Sequence, residues 1–262
     1  STSNRLSDTL CDEQIFGDVR DLNNDFLSKF DAFVLLAAIS NDPMGQKFET
    51  ITNEVNYKAC TNIVSKISEL GSKVIVFASS CSIYGEGGNI SKTETDILNP
   101  LTAYAKSKVN VENSLKDLSS ENLTITSLRF STACGMSDRL RLDLVLNDFV
   151  ASALINKEIE VLSDGSPWRP LIDVKDMSRA IEWALKRKKS NGGNYLAINV
   201  GKKNWNFQVR DLALAVSDVI PRVNLKINKS ALPDKRSYKV DFSLFEKLAK
   251  NFQPQNTLNM SI

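Results

Sequence analysis

Val74-Ile75-Val76-Phe77-Ala78-Ser79-Ser80-Cys81-Ser82-Ile83-Tyr84-Gly85 is an apolar run that stops abruptly in a cluster of hydroxyls. A short continuous apolar run of this kind fits a strand buried on both faces, which is the mark of a parallel sheet. In such sheets ligands bind beyond the carboxyl ends of the strands, so the serines are placed where a site would be. The same serines also suit a turn, and the run by itself leaves both readings open.

The rest of the chain repeats the pattern. Phe33-Val34-Leu35-Leu36-Ala37-Ala38 reads as another strand buried on both faces. Residues 46–70 read as a helix, with Val55, Ile63 and Ile67 among its apolar positions and Gly71 as its left-handed stop. Downstream come a helix over 102–118, a strand over Leu123–Phe130, a helix over 143–156 and a short strand over Ile159–Leu162. A helix over 175–188 and a strand over Tyr195–Val200 follow. Strands alternating with helices predict an α/β domain with a parallel sheet. A helix near 208–219, a strand near Val223–Ile227 and polar irregular segments predict a smaller lobe built on that sheet. The run Lys186-Arg187-Lys188-Lys189 closes a helix, where basic side chains complement the dipole and the last carbonyls.

Composition narrows the chemistry. The 262 residues carry a formal charge of +2, too balanced for nucleic acid or an anionic membrane to be the main partner. No apolar stretch approaches the ~18 residues that span a bilayer, and no secretory signal pattern opens the chain. There is no histidine, which excludes a Ser-His-Asp or Cys-His nucleophile and any His-bearing zinc site within this chain. Cys11, Cys60, Cys81 and Cys134 form no C-x-x-C pair, so we expect free thiols packed in a reducing, cytoplasmic compartment and no metal. Catalysis has to come from Ser, Tyr, Lys, Asp, Glu or a cofactor.

The pattern that carries chemistry is Tyr104-Ala105-Lys106-Ser107-Lys108. A Tyr and a Lys four apart share one helix face, and here they lead the stripe Val111, Leu115, Leu118. A snorkelling tyrosine and a solvated lysine would give the same spacing. The hydroxyls at the end of the preceding strand make a shared site the sharper reading.

Taken in order, these residues resemble an extended short-chain dehydrogenase/reductase of the sugar-nucleotide epimerase/dehydratase type. The resemblance runs through Gly17-Asp18-Val19-Arg20-Asp21, Leu36-Ala37-Ala38, Asn56, the serine cluster, Asn99-Pro100-Leu101-Thr102-Ala103-Tyr104 with Lys108, Leu128-Arg129-Phe130, Asp164-Gly165-Ser166, Arg169, Asp176 and Asn199-Val200-Gly201. It implies a Rossmann-like, doubly wound parallel sheet: residues 1–135 with 174–205 holding a dinucleotide (NAD or NADP), and residues 136–262, mainly 136–173 and 206–262, holding the substrate. The implied reaction is hydride transfer at a sugar hydroxyl of a nucleotide-diphosphate sugar. Tyr104 is the implied base, Lys108 lowers its pKa from the ordinary value near 10 and meets the nicotinamide ribose, and Ser80 aligns the reacting oxygen with Ser82 as its substitute. Asp18 and Val19 are implied at the adenine, Leu36, Ala37, Ala38 and Asn56 along the cofactor, and Phe130 over the nicotinamide, where ordinary core packing is the other reading. Thr132, Asn147, Arg169 and Arg236 are implied on the sugar or its diphosphate, arginine being suited to a diphosphate by its rigid fork of donors. The resemblance further implies a homodimer paired through the helix of Tyr104 and the helix before it, a four-helix interface.

Two departures from that pattern matter. No G-x-x-G-x-x-G occurs, so the first β-α-β unit and its phosphate-cradling helix are lacking and the strand at 34–38 should face a gap. This predicts that the natural protein is longer than this chain, and that the chain alone binds a dinucleotide poorly. Cys81 and Ser82 stand where related dehydratases carry acidic residues, which disfavours dehydration and leaves epimerisation, usually at C4, or reduction of a keto-sugar. A non-catalytic nucleotide-binding relative is the reading from another functional class. Trp168 and Asp173 also stand out and are expected to reshape the substrate pocket.

Overall fold

A computed structural model of the chain describes residues 11–231, 234 and 236–262. The strands are β1 (Ala32–Leu35), β2 (Lys73–Ser80), β3 (Ser91–Lys92), β4 (Leu123–Phe130), β5 (Thr132–Cys134), β6 (Glu158–Val161), β7 (Trp168–Asp173), β8 (Tyr195–Val200), β9 (Asn206–Gln208), β10 (Asn224–Ile227) and β11 (Lys239–Val240). The helices are α1 (Asn24–Leu27), α2 (Asp42–Lys47), α3 (Glu49–Asn53), α4 (Cys60–Ser68), α5 (Ala103–Asp117), α6 (Val145–Asn156), α7 (Val174–Lys186), α8 (Val209–Val219), α9 (Ser243–Leu248) and α10 (Leu258–Ser261). The main sheet runs β1-β2-β4-β8 and is parallel throughout.

Period-two alternation sorts the side chains of this sheet. Ile75 and Phe77 of β2 and Leu123 and Ile125 of β4 pack under α4 and α5 with Ile63, Ile67, Val111 and Leu115. Val76, Leu128, Phe130, Ile198 and Val200 point the other way, against Trp183 and Ala184 of α7 and Phe245 of α9. Helices on both faces explain why β2 reads as a continuous apolar run and why all eight residues of β4 are buried, its polar ones included. A separate core joins Leu146 and Phe149 of α6, Ile159 and Val161 of β6 and Leu212 and Val216 of α8. There β6 pairs with β10, away from the main sheet.

Several expectations change here. The 33–38 run is not a strand buried on both faces: β1 ends at Leu35, its residues are at most half-buried, and Leu36 is 57% exposed. Its only strand partner among the described residues is β2, so it is an edge, and the expected gap lies on its other side. Helix 46–70 is interrupted at Phe48 and relaxes into a π-helical turn over Glu54–Ala59 before α4. Arg187 does not cap α7 as a surface residue: it is buried, donating to Thr126 Oγ1, Ile125 O, Gly193 O and Asn191 O. The C-terminal basic run therefore hides one clasp between helix and sheet. Cys60, Cys81 and Cys134 are buried free thiols as expected, whereas Cys11 is exposed.

Candidate active site

Thr102 starts α5 by accepting a hydrogen bond from Ala105 N at 3.1 Å, so Tyr104 lies in the first turn and Lys108 one turn deeper. Val111 and Leu115, fully buried on the same stripe, hold that face of the helix against β2; burial of side chains this size stabilises by about 1.5–3 kcal/mol each. Lys108 is only 3% exposed. Its ammonium donates to Ala78 O at 2.6 Å and lies 4.6 Å from the Phe77 ring centroid and 5.3 Å from that of Tyr104. Burial pulls its pKa down to about 8, against the opposing pull of Cys60 and Glu112.

Two residues further along β2, Ser80 Oγ accepts from Ser82 N at 3.2 Å and donates to Ser82 Oγ at 2.9 Å. It thus caps the 3-10 turn Cys81–Tyr84. The turn reading and the strand-end reading of the serine cluster hold together, since a capping serine still presents its hydroxyl at the strand end. Gly85 closes this turn at φ 59°, where a Cβ would lie 1.8 Å from Asn99 O; only glycine allows the chain to fold back there.

The remaining predicted residues fall into groups. Leu36 and Ala37 are exposed just past the end of β1, with Ala38 half-buried. Val19, Leu36 and Ala37, but not Ala38, line a groove of about 290 Å³ along β1, whose walls are apolar throughout. Asp18 is engaged with Arg20, which holds its carboxyl down at about 2 through side-chain and backbone hydrogen bonds. Asn56, in the π-helical turn, is 2% exposed and binds both backbone groups of Ile39 and Ser107 Oγ. It pins the segment after β1 to the residue next to Lys108. Phe130 is 5% exposed and packs in the core under α7.

On the other lobe, Thr132 is half-buried on β5, and Asn147 is committed to Gly135 N and Arg141 O. Arg169 and Arg236 come together: each guanidinium bonds Asp234 Oδ2, at 2.9 Å and 2.7 Å. Burial lowers the pKa of Arg169. Trp168 stacks under Lys239 at 3.9 Å beside them. Asp173 does not line a pocket: it is 3% exposed, caps α7 at Lys175 N and accepts from Ser261 Oγ. Another opening of about 450 Å³, bordered by Asp148, Glu158 and Glu160, lies on the second core, away from Tyr104 and Lys108. Among the described residues no cluster suited to a metal ion occurs, and no helix is long and apolar enough to cross a membrane.

One feature was missed. Ser79, Arg129 and Asn199 are cross-strand neighbours on the face of the sheet under α5. Glu112 of α5 accepts from Arg129 at 2.7–3.1 Å and from Ser79 Oγ at 2.5 Å. Arg129 also reaches Tyr84 Oη and Glu94 O, and Tyr84 donates to Asn199 Oδ1. The signal was present in the sequence: Glu112 continues the Tyr104–Lys108 stripe by one turn, and an arginine inside an eight-residue buried strand requires a buried partner.

Three comparisons bear on this geometry. An N-acetyl-α-D-glucosaminyl-diphospho-ditrans,octacis-undecaprenol 4-epimerase of Escherichia coli O157:H7 is 24% identical over 214 residues, covering 80% of this chain and 62% of that protein. The chain therefore spans less than two thirds of the length of that curated relative. A UDP-N-acetylglucosamine 4-epimerase from Methanobrevibacter ruminantium superposes with a TM-score of 0.81 at 22% identity, covering 94% of this chain and 80% of that one. A UDP-glucuronic acid 4-epimerase from Bacillus cereus, solved with UDP-glucuronic acid and NAD, superposes at 0.80 and 20% identity, with 94% and 77% covered. At such identities the structures establish a shared Rossmann-like fold. The family model described as NAD dependent epimerase/dehydratase matches residues 2–201, most of the chain, and the chain belongs to that family.

Proposed function

We propose that this chain carries the proton-transfer machinery of an NAD-dependent sugar-nucleotide epimerase acting at a sugar hydroxyl, C4 being the favoured position. The observation that carries the reading is the buried Lys108 ammonium, held on Ala78 O beside the Tyr104 ring at the end of β2. A buried ammonium is costly, and one next to a phenol favours the phenolate. Tyr104 takes the hydroxyl proton, Lys108 stabilises the resulting anion, and Ser80 orients the oxygen through its hydroxyl.

A nicotinamide dinucleotide supplies the hydride acceptor when bound. The donor set fits its nicotinamide half: a lysine has three N–H groups, of which Ala78 O takes one, leaving donors for a ribose hydroxyl at the strand end. Leu36 and Ala37, exposed beyond β1, would flank it. For the pyrophosphate the chain has no glycine-rich turn, and the described residues offer no equivalent cradle. On the substrate side, Arg169 and Arg236 are assigned to the diphosphate, with Thr132, Asn147 and Ser82 near the sugar. This divides the labour between residues 1–135 with 174–205 and residues 136–173 with 206–262.

Dehydration is disfavoured because Cys81, buried and raised in pKa by that burial, is unsuited to acid–base work. A keto-sugar reductase would use the same three groups and differs in consuming NADH stoichiometrically. We place the protein in the cytoplasm, as a homodimer through α5, an assignment that sedimentation tests. The decisive experiment incubates the protein with NAD and UDP-N-acetylglucosamine or UDP-glucose and follows the 4-epimer. Tyr104→Phe should lower turnover at least about a hundredfold while UDP binding persists. A wild-type rate in that variant refutes the assignment.

A further inference from the structure

We propose that Glu112 is a positioning residue for the Tyr104–Lys108 pair. Its carboxylate, locked by Arg129 and Ser79, keys α5 to the ends of β2 and β4 and sets how Lys108 stands against the Ser80 rim. This inference deepens the epimerase reading and rests on it.

The geometry is specific. Tyr104, Lys108 and Glu112 occupy successive turns of one helix face, so a shift of Glu112 along the sheet is transmitted to both other residues. Glu112 is 3% exposed, and both carboxylate oxygens are engaged by Arg129. Its second partner, Ser79, directly precedes Ser80, so one carboxylate fastens the helix that bears the base to the strand that bears the orienting hydroxyl. Arg129 extends the lock to Tyr84 and Glu94, and Asn199 completes it across β8. A buried ion pair seldom adds net stability over apolar packing of the same size. A fully bonded ladder at this depth instead defines one height of the helix on the sheet.

Glu112 also acts on the charge of Lys108. The groups facing that ammonium are Tyr104 and Glu112 from its own helix, Cys60 from α4, and the Phe77 ring and Ala78 carbonyl from β2; Arg129 of β4 stands behind Glu112. Burial pushes the Cys60 thiol up to about 11, so it is neutral at pH 7 and Glu112 is the anion that favours the protonated amine.

The test is lysine-selective NMR on the full chain, with the Lys108 signal assigned by its loss in Lys108→Met. In Glu112→Gln the Lys108 titration midpoint should fall by about half a pH unit or more, and Glu112→Asp should restore much of it. In the epimerase assay Glu112→Gln should lower kcat about tenfold or more with KM within about twofold. If Glu112→Gln does not fold because Arg129 is left unpaired, the double variant Glu112→Leu/Arg129→Met removes both charges and should still lower the midpoint. An unchanged Lys108 midpoint in the folded variant, or a raised KM with kcat intact, overturns the proposal. A wild-type rate in Tyr104→Phe would instead defeat the epimerase reading and leave the NMR result standing.

Discussion

Replacing Lys108 by methionine should stabilise the protein while abolishing its chemistry. Lys108 is 3% exposed, and burial lowers its pKa from 10.5 to about 8. At 1.36 kcal/mol per unit, keeping the ammonium charged at pH 7 costs the fold about 3 kcal/mol. Methionine matches the volume and needs no proton. Loss of the bond to Ala78 O and of the contacts with the Phe77 and Tyr104 rings returns about 1–2 kcal/mol of that gain. The net gain is of the order of 1–2 kcal/mol, a rise in Tm of roughly 2–6 °C for a chain this size. The pH dependence has a definite sign. Between about 8 and 10.5 the unfolded lysine holds a proton that the folded one has released, so wild-type stability rises with pH across that window. Lys108→Met lacks this rise. In calorimetric melts of both proteins from pH 7 to 10.5 the two profiles should therefore cross, with the wild type the more stable by about 1–2 kcal/mol at the alkaline end. A lower Tm for the variant at pH 7, or parallel pH profiles, would refute the reasoning.

Two further outcomes follow from the polar clusters. Asp234→Asn removes the carboxylate on which Arg169 and Arg236 converge, and titration calorimetry should show UDP binding about three- to tenfold tighter, with unchanged or weaker binding counting against the diphosphate assignment. Arg187→Ala leaves the carbonyls of Ile125 and Gly193 and the hydroxyl of Thr126 without their donor and should cost about 3 kcal/mol in denaturant melts. A loss below about 1 kcal/mol would show that water satisfies them instead.

The parallel α/β architecture was legible because its signals are local. Leu123–Phe130 and Tyr195–Val200 are β4 and β8 with the expected bounds, since each is a run of strand formers closed by a change of polarity. The Tyr104–Lys108 spacing likewise needs nothing beyond helix geometry. Reading failed where burial depends on neighbours distant in the chain. The 33–38 run has the composition of a central strand, yet no described strand lies on its outer side, and Leu36 is exposed. Arg187 looked like one of four surface cations because helix ends commonly carry them, whereas the carbonyls that claim it come from β4 and the loop before β8. Asp173 stood out as a pocket residue, but its partner Ser261 is 88 positions away.

By itself the sequence determined the type and order of the elements, the family pattern, the absence of histidine chemistry and the phenol–amine spacing, all consequences of short-range periodicity and residue chemistry. Only the tertiary structure decided which charges are buried and with whom. It placed Glu112 on Arg129 and Ser79, set Lys108 on Ala78 O and joined Arg169 to Arg236 through Asp234. The reason is physical: the cost of burying a charge is met by partners that share a region of space, and proximity in space is a property of the folded chain.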